Sequence, residues 1–303
     1  MTISKYPNGI SSFGAPLVGP HYASMFGNYW FVDNSNASAR STGKDPANAF
    51  KTIAAAVAKA TDGDTIYVRG TQTDYDESVT ITKDMISLIG ISSHVKDLGW
   101  TADTDATILT ITGDGCVVDG FLFRPDGATS GIAIDISSAV AATYNAENTI
   151  IRNNLFKSTG ATCAYAIKAD GSPDYVRVIN NHFTHVGYGI YCGATCNSPA
   201  TGWYITGNYF SDACTYGVYL PARRCLIAEN YFNAISAPVL NILGYGSSGT
   251  FNSVARNHFG GDYSITGGYI PGTSDVWTGN WATDVGEAEV EALSGATSVV
   301  PTT

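Results

Sequence analysis

One phrase returns through the second half of the chain and constrains the fold more than any other feature. It reads Ile151-Arg152-Asn153-Asn154-Leu155-Phe156, then Val178-Ile179-Asn180-Asn181-His182-Phe183 and Ile205-Thr206-Gly207-Asn208-Tyr209-Phe210. Ile227-Ala228-Glu229-Asn230-Tyr231-Phe232 and Val254-Ala255-Arg256-Asn257-His258-Phe259 follow, and Gly279-Asn280-Trp281 is a worn copy. The Asn positions 154, 181, 208, 230, 257 and 280 are 27, 27, 22, 27 and 23 residues apart. A repeat of this length with a fixed apolar–Asn–aromatic core specifies a stacked solenoid, in which each unit buries its apolar face on the next.

A second phrase trails each Asn by 9 to 13 residues: Gly131-Ile132-Ala133-Ile134, Tyr165-Ala166-Ile167-Lys168, Tyr188-Gly189-Ile190-Tyr191, Tyr216-Gly217-Val218-Tyr219 and Ala237-Pro238-Val239-Leu240. Each repeat therefore holds about three short strands, and stacking in parallel lets each strand pair with its counterpart one coil on, about 4.8 Å away. Eight or nine coils are expected. One segment has helical spacing, with Phe50, Ile53, Val57 and Ala60 in an Ala-rich run over 49–60, capped by Asp45 or Asn48. Its expected task is to cover the open apolar end of the solenoid. Near the other end, residues 285–293 carry three Glu and read as a short acidic helix, with a plain tail to 303.

These features resemble the right-handed parallel β-helix, the pectin-lyase-like fold. The likeness extends to the opening: Trp30-Phe31-Val32-Asp33, a polar loop, Phe50-Lys51-Thr52-Ile53, then Gly63-Asp64-Thr65-Ile66-Tyr67-Val68. The expected fold class is all-β, a right-handed parallel β-helix over 29–285 with one N-terminal capping α-helix. An extended N-terminal arm, 1–28, precedes it and a C-terminal cap or tail, 286–303, follows. Asn154, Asn181, Asn208, Asn230 and Asn257 are expected at bends in the left-handed conformation that Asn tolerates, forming an internal amide ladder. The apolar residue three before each Asn and the Phe two after it are expected to point inward.

The net charge of −10 argues against a nucleic-acid binder, since phosphate neutralisation needs clustered Lys and Arg. No membrane span is read and no signal peptide, which places synthesis in a cytoplasm. The six Cys show no metal spacing and read as small buried residues; no metal and no cofactor is expected. Paired carboxylates or a carboxylate–base group on one outer face would signal glycan chemistry. Glu229 and Arg256, on adjacent coils, read as an exposed ion pair. Asp135, Lys168, Asp170 and Asp174 cluster near the second phrase but do not share one alignment column. The signatures of the pectin-degrading families are missing, which weighs against an enzyme and leaves no catalytic residue assigned.

The outward column beside the ladder, His182, Tyr209, Tyr231 and His258, leaves three readings open: cross-coil stacking, a partner interface, or a carbohydrate-binding strip. Ser4-Lys5-Tyr6-Pro7-Asn8-Gly9-Ile10-Ser11-Ser12-Phe13-Gly14-Ala15-Pro16 resembles the opening of tailed-bacteriophage virion proteins. That resemblance implies a virion structural protein, a capsid decoration or cement protein or a tail or fibre attachment protein, assembled in the host cytoplasm. The arm residues Tyr6, Pro7, Ile10, Phe13, Leu17, Tyr22 and Phe26 would anchor it on other virion proteins or on further copies of itself. The rival expectation is a carbohydrate-binding or polysaccharide-degrading β-helix, a depolymerase or lyase. A cellular adhesin is the third.

Overall fold

The computed structural model describes residues 11–12, 15–16, 27–36, 41–71, 73–92, 97–126, 130–137, 146–158, 163–171, 173–192, 200–211, 214, 216–233, 240–242, 251–260, 269–270, 274–282 and 288–290. The expected fold is what it shows. Three long sheets wrap one core. The first has ten strands, from Tyr29–Val32 to Val276–Thr278. The second also has ten, starting at Tyr75–Asp76, and the third has eight, from Val79–Ile81 to Tyr269–Ile270. Each coil visits the first, second and third sheet in turn, and pairing between coils is parallel. Ten strands exceed the eight or nine coils expected, because Tyr29–Val32 itself joins the first sheet beside Thr65–Arg69.

The ladder is continuous. Asn154 Oδ1 accepts the Phe121 N–H at 2.9 Å, and the Oδ1 of each following Asn, through Asn280, accepts both the N–H and an Nδ2–H of the Asn one coil before. Each Nδ2 also donates to a backbone carbonyl, as Asn208 does to Val178 at 2.8 Å. All six amides are buried, and burial without such partners would cost about 1–3 kcal/mol for each group.

One expectation is corrected here. The left-handed backbone belongs to the residue before each ladder Asn: Asn153 (φ 55°), Asn180 (54°), Gly207 (67°), Glu229 (59°), Arg256 (53°) and Gly279 (60°). The bend lies one residue earlier because the ladder Asn must turn its side chain inward. The same grammar repeats between the third and first sheets, where Gly63, Met85, Gly115, Asn148, Tyr175, Gly202, Arg224, Phe251 and Ser274 are left-handed. The next residues, Asp64, Ile86, Cys116, Thr149, Val176, Trp203, Cys225, Asn252 and Asp275, are all buried.

Inside, Phe123, Phe156, Phe183, Phe210, Phe232 and Phe259 stack at 4.6–5.3 Å with rings within 9° of parallel. Ile151, Val178, Ile205, Ile227 and Val254 form the facing aliphatic column, fully buried. The helix is shorter than expected, Ile53–Lys59, with Thr52 as its N-cap. Phe50 is drawn out of it: its N–H donates to the Phe31 carbonyl at 2.8 Å, so the chain stays extended until Thr52. Asp45 caps a separate short turn, Pro46–Asn48. The Glu77 carboxylate accepts the free N–H groups of Ile53 and Ala54, satisfying the positive end of the helix. The helix packs on the first-coil strands and buries Ile53 and Ala56 there.

The acidic C-terminal helix is not formed where the chain is described. Ala288–Val290 is a strand, antiparallel to Asn280–Ala282. The last coil leaves unpaired backbone donors and acceptors, and pairing them outweighs the helix propensity of Glu and Ala. Among the arm residues, Ser11–Ser12 pairs antiparallel with Ala15–Pro16. Tyr6, Pro7, Ile10, Phe13, Leu17, Tyr22 and Phe26 lie outside the described residues.

Candidate functional site

The outward column forms as expected on the second sheet, in register His182, Tyr209, Tyr231, His258 and then Trp281. Tyr209, Tyr231 and His258 stack at 5.0 and 4.5 Å, within 11° of parallel, and His182 meets Tyr209 edge-on at 4.9 Å. His182 Nε2 is hydrogen-bonded to Ser211 Oγ at 2.9 Å. Rings stacked along the axis cover one another's faces and show solvent their edges. Cross-coil stacking holds this column in place. Leu155, in the same column one coil earlier, is buried but is not part of the interior core.

The third sheet carries a denser cluster that the sequence reading missed. Its outward face presents Tyr165, Tyr188 and Tyr216 in one column, and Asp135, Lys168, Tyr191 and Tyr219 in the next. Simple alternation would send Tyr188 and Tyr191 to opposite faces. Instead the strand turns at the small residue after the first Tyr: Gly189 and Ile190 are both buried, while Tyr188 and Tyr191 are both half-exposed. Only a residue without a Cβ fits at 189, since a Cβ would lie 2.6 Å from Phe210 Cε1 and 2.7 Å from the Gly217 carbonyl oxygen. Gly217, Ala166 and Ala133 occupy the same place in neighbouring coils. The signal was present: Tyr-small-apolar-Tyr, twice, with Tyr-Ala-Ile-Lys before it.

The tyrosines interlock. Tyr188 and Tyr216 stack at 4.6 Å and 5°, and Tyr165 and Tyr188 at 5.2 Å. Tyr191 packs at 4.7 Å from both Tyr165 and Tyr188, at 43° and 61°, and Tyr219 meets Tyr216 at 74°. Mixed edge and face packing fixes the rings without side-chain freedom. Burial, with the neighbouring tyrosines, pushes the Tyr188 hydroxyl up to about 12, and raises that of Tyr191. These phenols therefore stay neutral donors at physiological pH.

Beside the rings lie Asp135, Lys168 and Asp170. Asp135 and Lys168 do share a column, contrary to expectation, because Ile132, not Gly131, pairs with Tyr165. Lys168 is bonded to Asp170. Burial would lower the Lys168 ammonium, but Asp170, aided by Asp135, holds it above its ordinary value. Asp135 Oδ1 is buried with no hydrogen-bond partner. Burial pushes the Asp135 carboxyl up to about 6, against the pull of Lys168. Asp135 thus places a desolvated carboxylate at one end of the tyrosine cluster, one coil before Tyr165.

Other features are structural. A cleft of about 520 Å³ on the first sheet is lined by Phe31, Tyr67 and Ile91, and its Arg69 is paired with Asp33 at 2.7 Å. Glu229 and Arg256 form the expected exposed ion pair at 2.7 Å. Cys116, Cys214 and Cys225 are buried free thiols that donate to backbone carbonyls. Cys192 is buried, as expected, and disulfide-bonded.

A family model described as NosD, periplasmic copper-binding protein, matches residues 57–242, more than half of the chain. The chain belongs to the NosD family. No curated protein sequence matches this NosD-family chain. Among solved structures it is similar to an alginate lyase from Paenibacillus sp. str. FPU-7, at 14% identity and TM-score 0.59, covering 76% of this chain and 83% of that one. It is also similar to pectin methylesterase PemA from Erwinia chrysanthemi, at 10% identity and TM-score 0.50, covering 89% and 92%. At such identities the likeness is one of fold. A copper centre needs converging imidazole, thiolate or thioether donors. Among the described residues no three His, Cys, Asp or Glu side chains converge. Burial pushes the Cys116 and Cys225 thiols up to about 12, away from the thiolate form a metal requires. The described residues of this NosD-family chain do not fit a copper ion.

Proposed function

We propose that this protein is a glycan-binding β-helix and that the tyrosine face of the third sheet is its recognition surface. The observation that carries the reading is the packing of five tyrosines into one cluster on the outward face of the third sheet. None of the five hydroxyls hydrogen-bonds another described residue, so each is available to a ligand rich in hydroxyl groups. Rigid tyrosines offer apolar ring and polar tip together at small entropic cost. The reading is one of binding rather than cleavage. Glycoside hydrolysis uses two carboxyl groups, and here Asp170 is held by Lys168. The copper that the family's description names is not part of this reading.

Retardation in native gels containing soluble polysaccharides tests it. Tyr188→Ala/Tyr216→Ala is expected to weaken retention by at least about tenfold, as loss of central aromatic anchors does. Unchanged retention would overturn the assignment of this face.

The phrase over 4–16 supports a second reading, a bacteriophage virion structural protein in capsid or tail, anchored by its arm. The two are compatible, since a virion protein can display a glycan-binding face. Deleting residues 1–28 is expected to leave a folded β-helix that no longer enters particles; normal incorporation would remove the anchoring role.

A further inference from the structure

We infer that the tyrosine face selects uncharged or amine-bearing glycans and rejects polyuronates. This rests on the glycan-binding reading and adds the charge class of the ligand. Across the eight strands of the third sheet the charged side chains are Asp135, Lys168 and Asp170. Two are acidic and one is basic, and the base is already bonded to one of the acids. The face therefore carries a net negative charge when Asp135 is ionised, and the chain as a whole carries −10.

The charged groups point the same way. The Asp135 carboxylate is an acceptor and a negative charge in its ionised form, so it favours a hydroxyl or an ammonium on this face and opposes a carboxylate. The phenols donate to neutral hydroxyl oxygens and more strongly to a carboxylate, but a carboxylate reaches them only against the net negative charge of the face. The cluster already holds one ammonium beside its rings, with Lys168 Nζ 5.9 Å from the Tyr165 ring. No guanidinium stands on these strands to receive a uronate in a two-point bond. A polyuronate would bring a carboxylate at every sugar to a face with one cation already engaged.

The test compares native-gel retardation by hydroxyethylcellulose and glycol chitosan with that by polygalacturonate and alginate. The wild-type protein is expected to bind the first pair at least about tenfold more tightly at low salt, the scale of one unscreened charge contact. The gap should narrow at about 0.5 M salt. Asp135→Asn/Asp170→Asn keeps the shapes, leaves Lys168 unopposed and is expected to gain retention by polygalacturonate, with an unchanged melting temperature as the control for folding. Wild-type binding to polyuronate equal to or tighter than to the neutral polymers would overturn the inference and leave the glycan reading intact. A folded double variant that gains nothing would also overturn it. Retention by none of the four polymers would remove the glycan reading and this inference with it.

Discussion

Asn208→Ala is expected to destabilise the protein by about 4 kcal/mol or more, although it removes one small side chain. The substitution deletes the acceptor for the Asn181 N–H (2.9 Å) and the Asn181 Nδ2–H (3.1 Å), and the donor to the Val178 carbonyl (2.8 Å). Three buried polar groups lose their partners, at about 1–3 kcal/mol each. The damage is in mid-ladder, where no solvent reaches. The control is Asn153→Gly. Asn153 has the same side chain but lies on the surface in the left-handed conformation that glycine adopts freely, and its side-chain bond to Asp119 is exposed. That change is expected to fall within about 0.5 kcal/mol of wild type. Urea midpoints of the two variants decide the matter: equal losses would mean that the ladder is not what holds the coils in register.

Phe210→Ala is expected to cost about 3–5 kcal/mol, the range for a fully buried aromatic. Phe210 stacks between Phe183 at 4.6 Å and Phe232 at 4.8 Å, so the cavity opens in the middle of the stack. The effect should reach the outer surface. Phe210 lies under Gly189, whose flanks hold Tyr188 and Tyr191. Loss of the ring removes the support below that turn, and the near-ultraviolet circular dichroism of the tyrosines should weaken in native buffer. Phe210→Leu keeps most of the volume and is expected to cost less than about 2 kcal/mol with the tyrosine signal retained. An unaltered signal in the alanine variant would mean that the tyrosine face holds its shape without the core beneath it.

The ladder and the Phe stack were legible because inward positions carry the same residue type in each coil, and type alone gives the register. The third sheet was not, for a local reason. Aligning Gly131-Ile132-Ala133-Ile134 with Tyr188-Gly189-Ile190-Tyr191 matched residue classes, yet the backbone pairs Ile132 with Tyr165. That shift of one moved Asp135 into the column of Lys168 and revealed the charged end of the candidate site. The turn at Gly189 hid the rest, since period-two reasoning divides Tyr188 and Tyr191 between faces. Propensity also failed at the two ends. Ala49 and Phe50 read as helix until Phe31 supplied a strand partner, and Glu287 to Glu291 read as helix where the last coil offered an open edge.

The two columns of left-handed residues carry a consequence for growth of the molecule. Nine of these bends lie on one corner and six stand directly before ladder Asn residues on another. Every coil thus carries its own corners and meets its neighbours through the same backbone pairs, amide rung and ring stack. A duplicated stretch of 27 residues, such as 154–180, would bring a complete set of corners, one amide rung and one ring of the stack. Length in such a molecule is a count of cassettes, and the breadth of the surface that it shows to a ligand can change by whole coils without redesign of the coils already there.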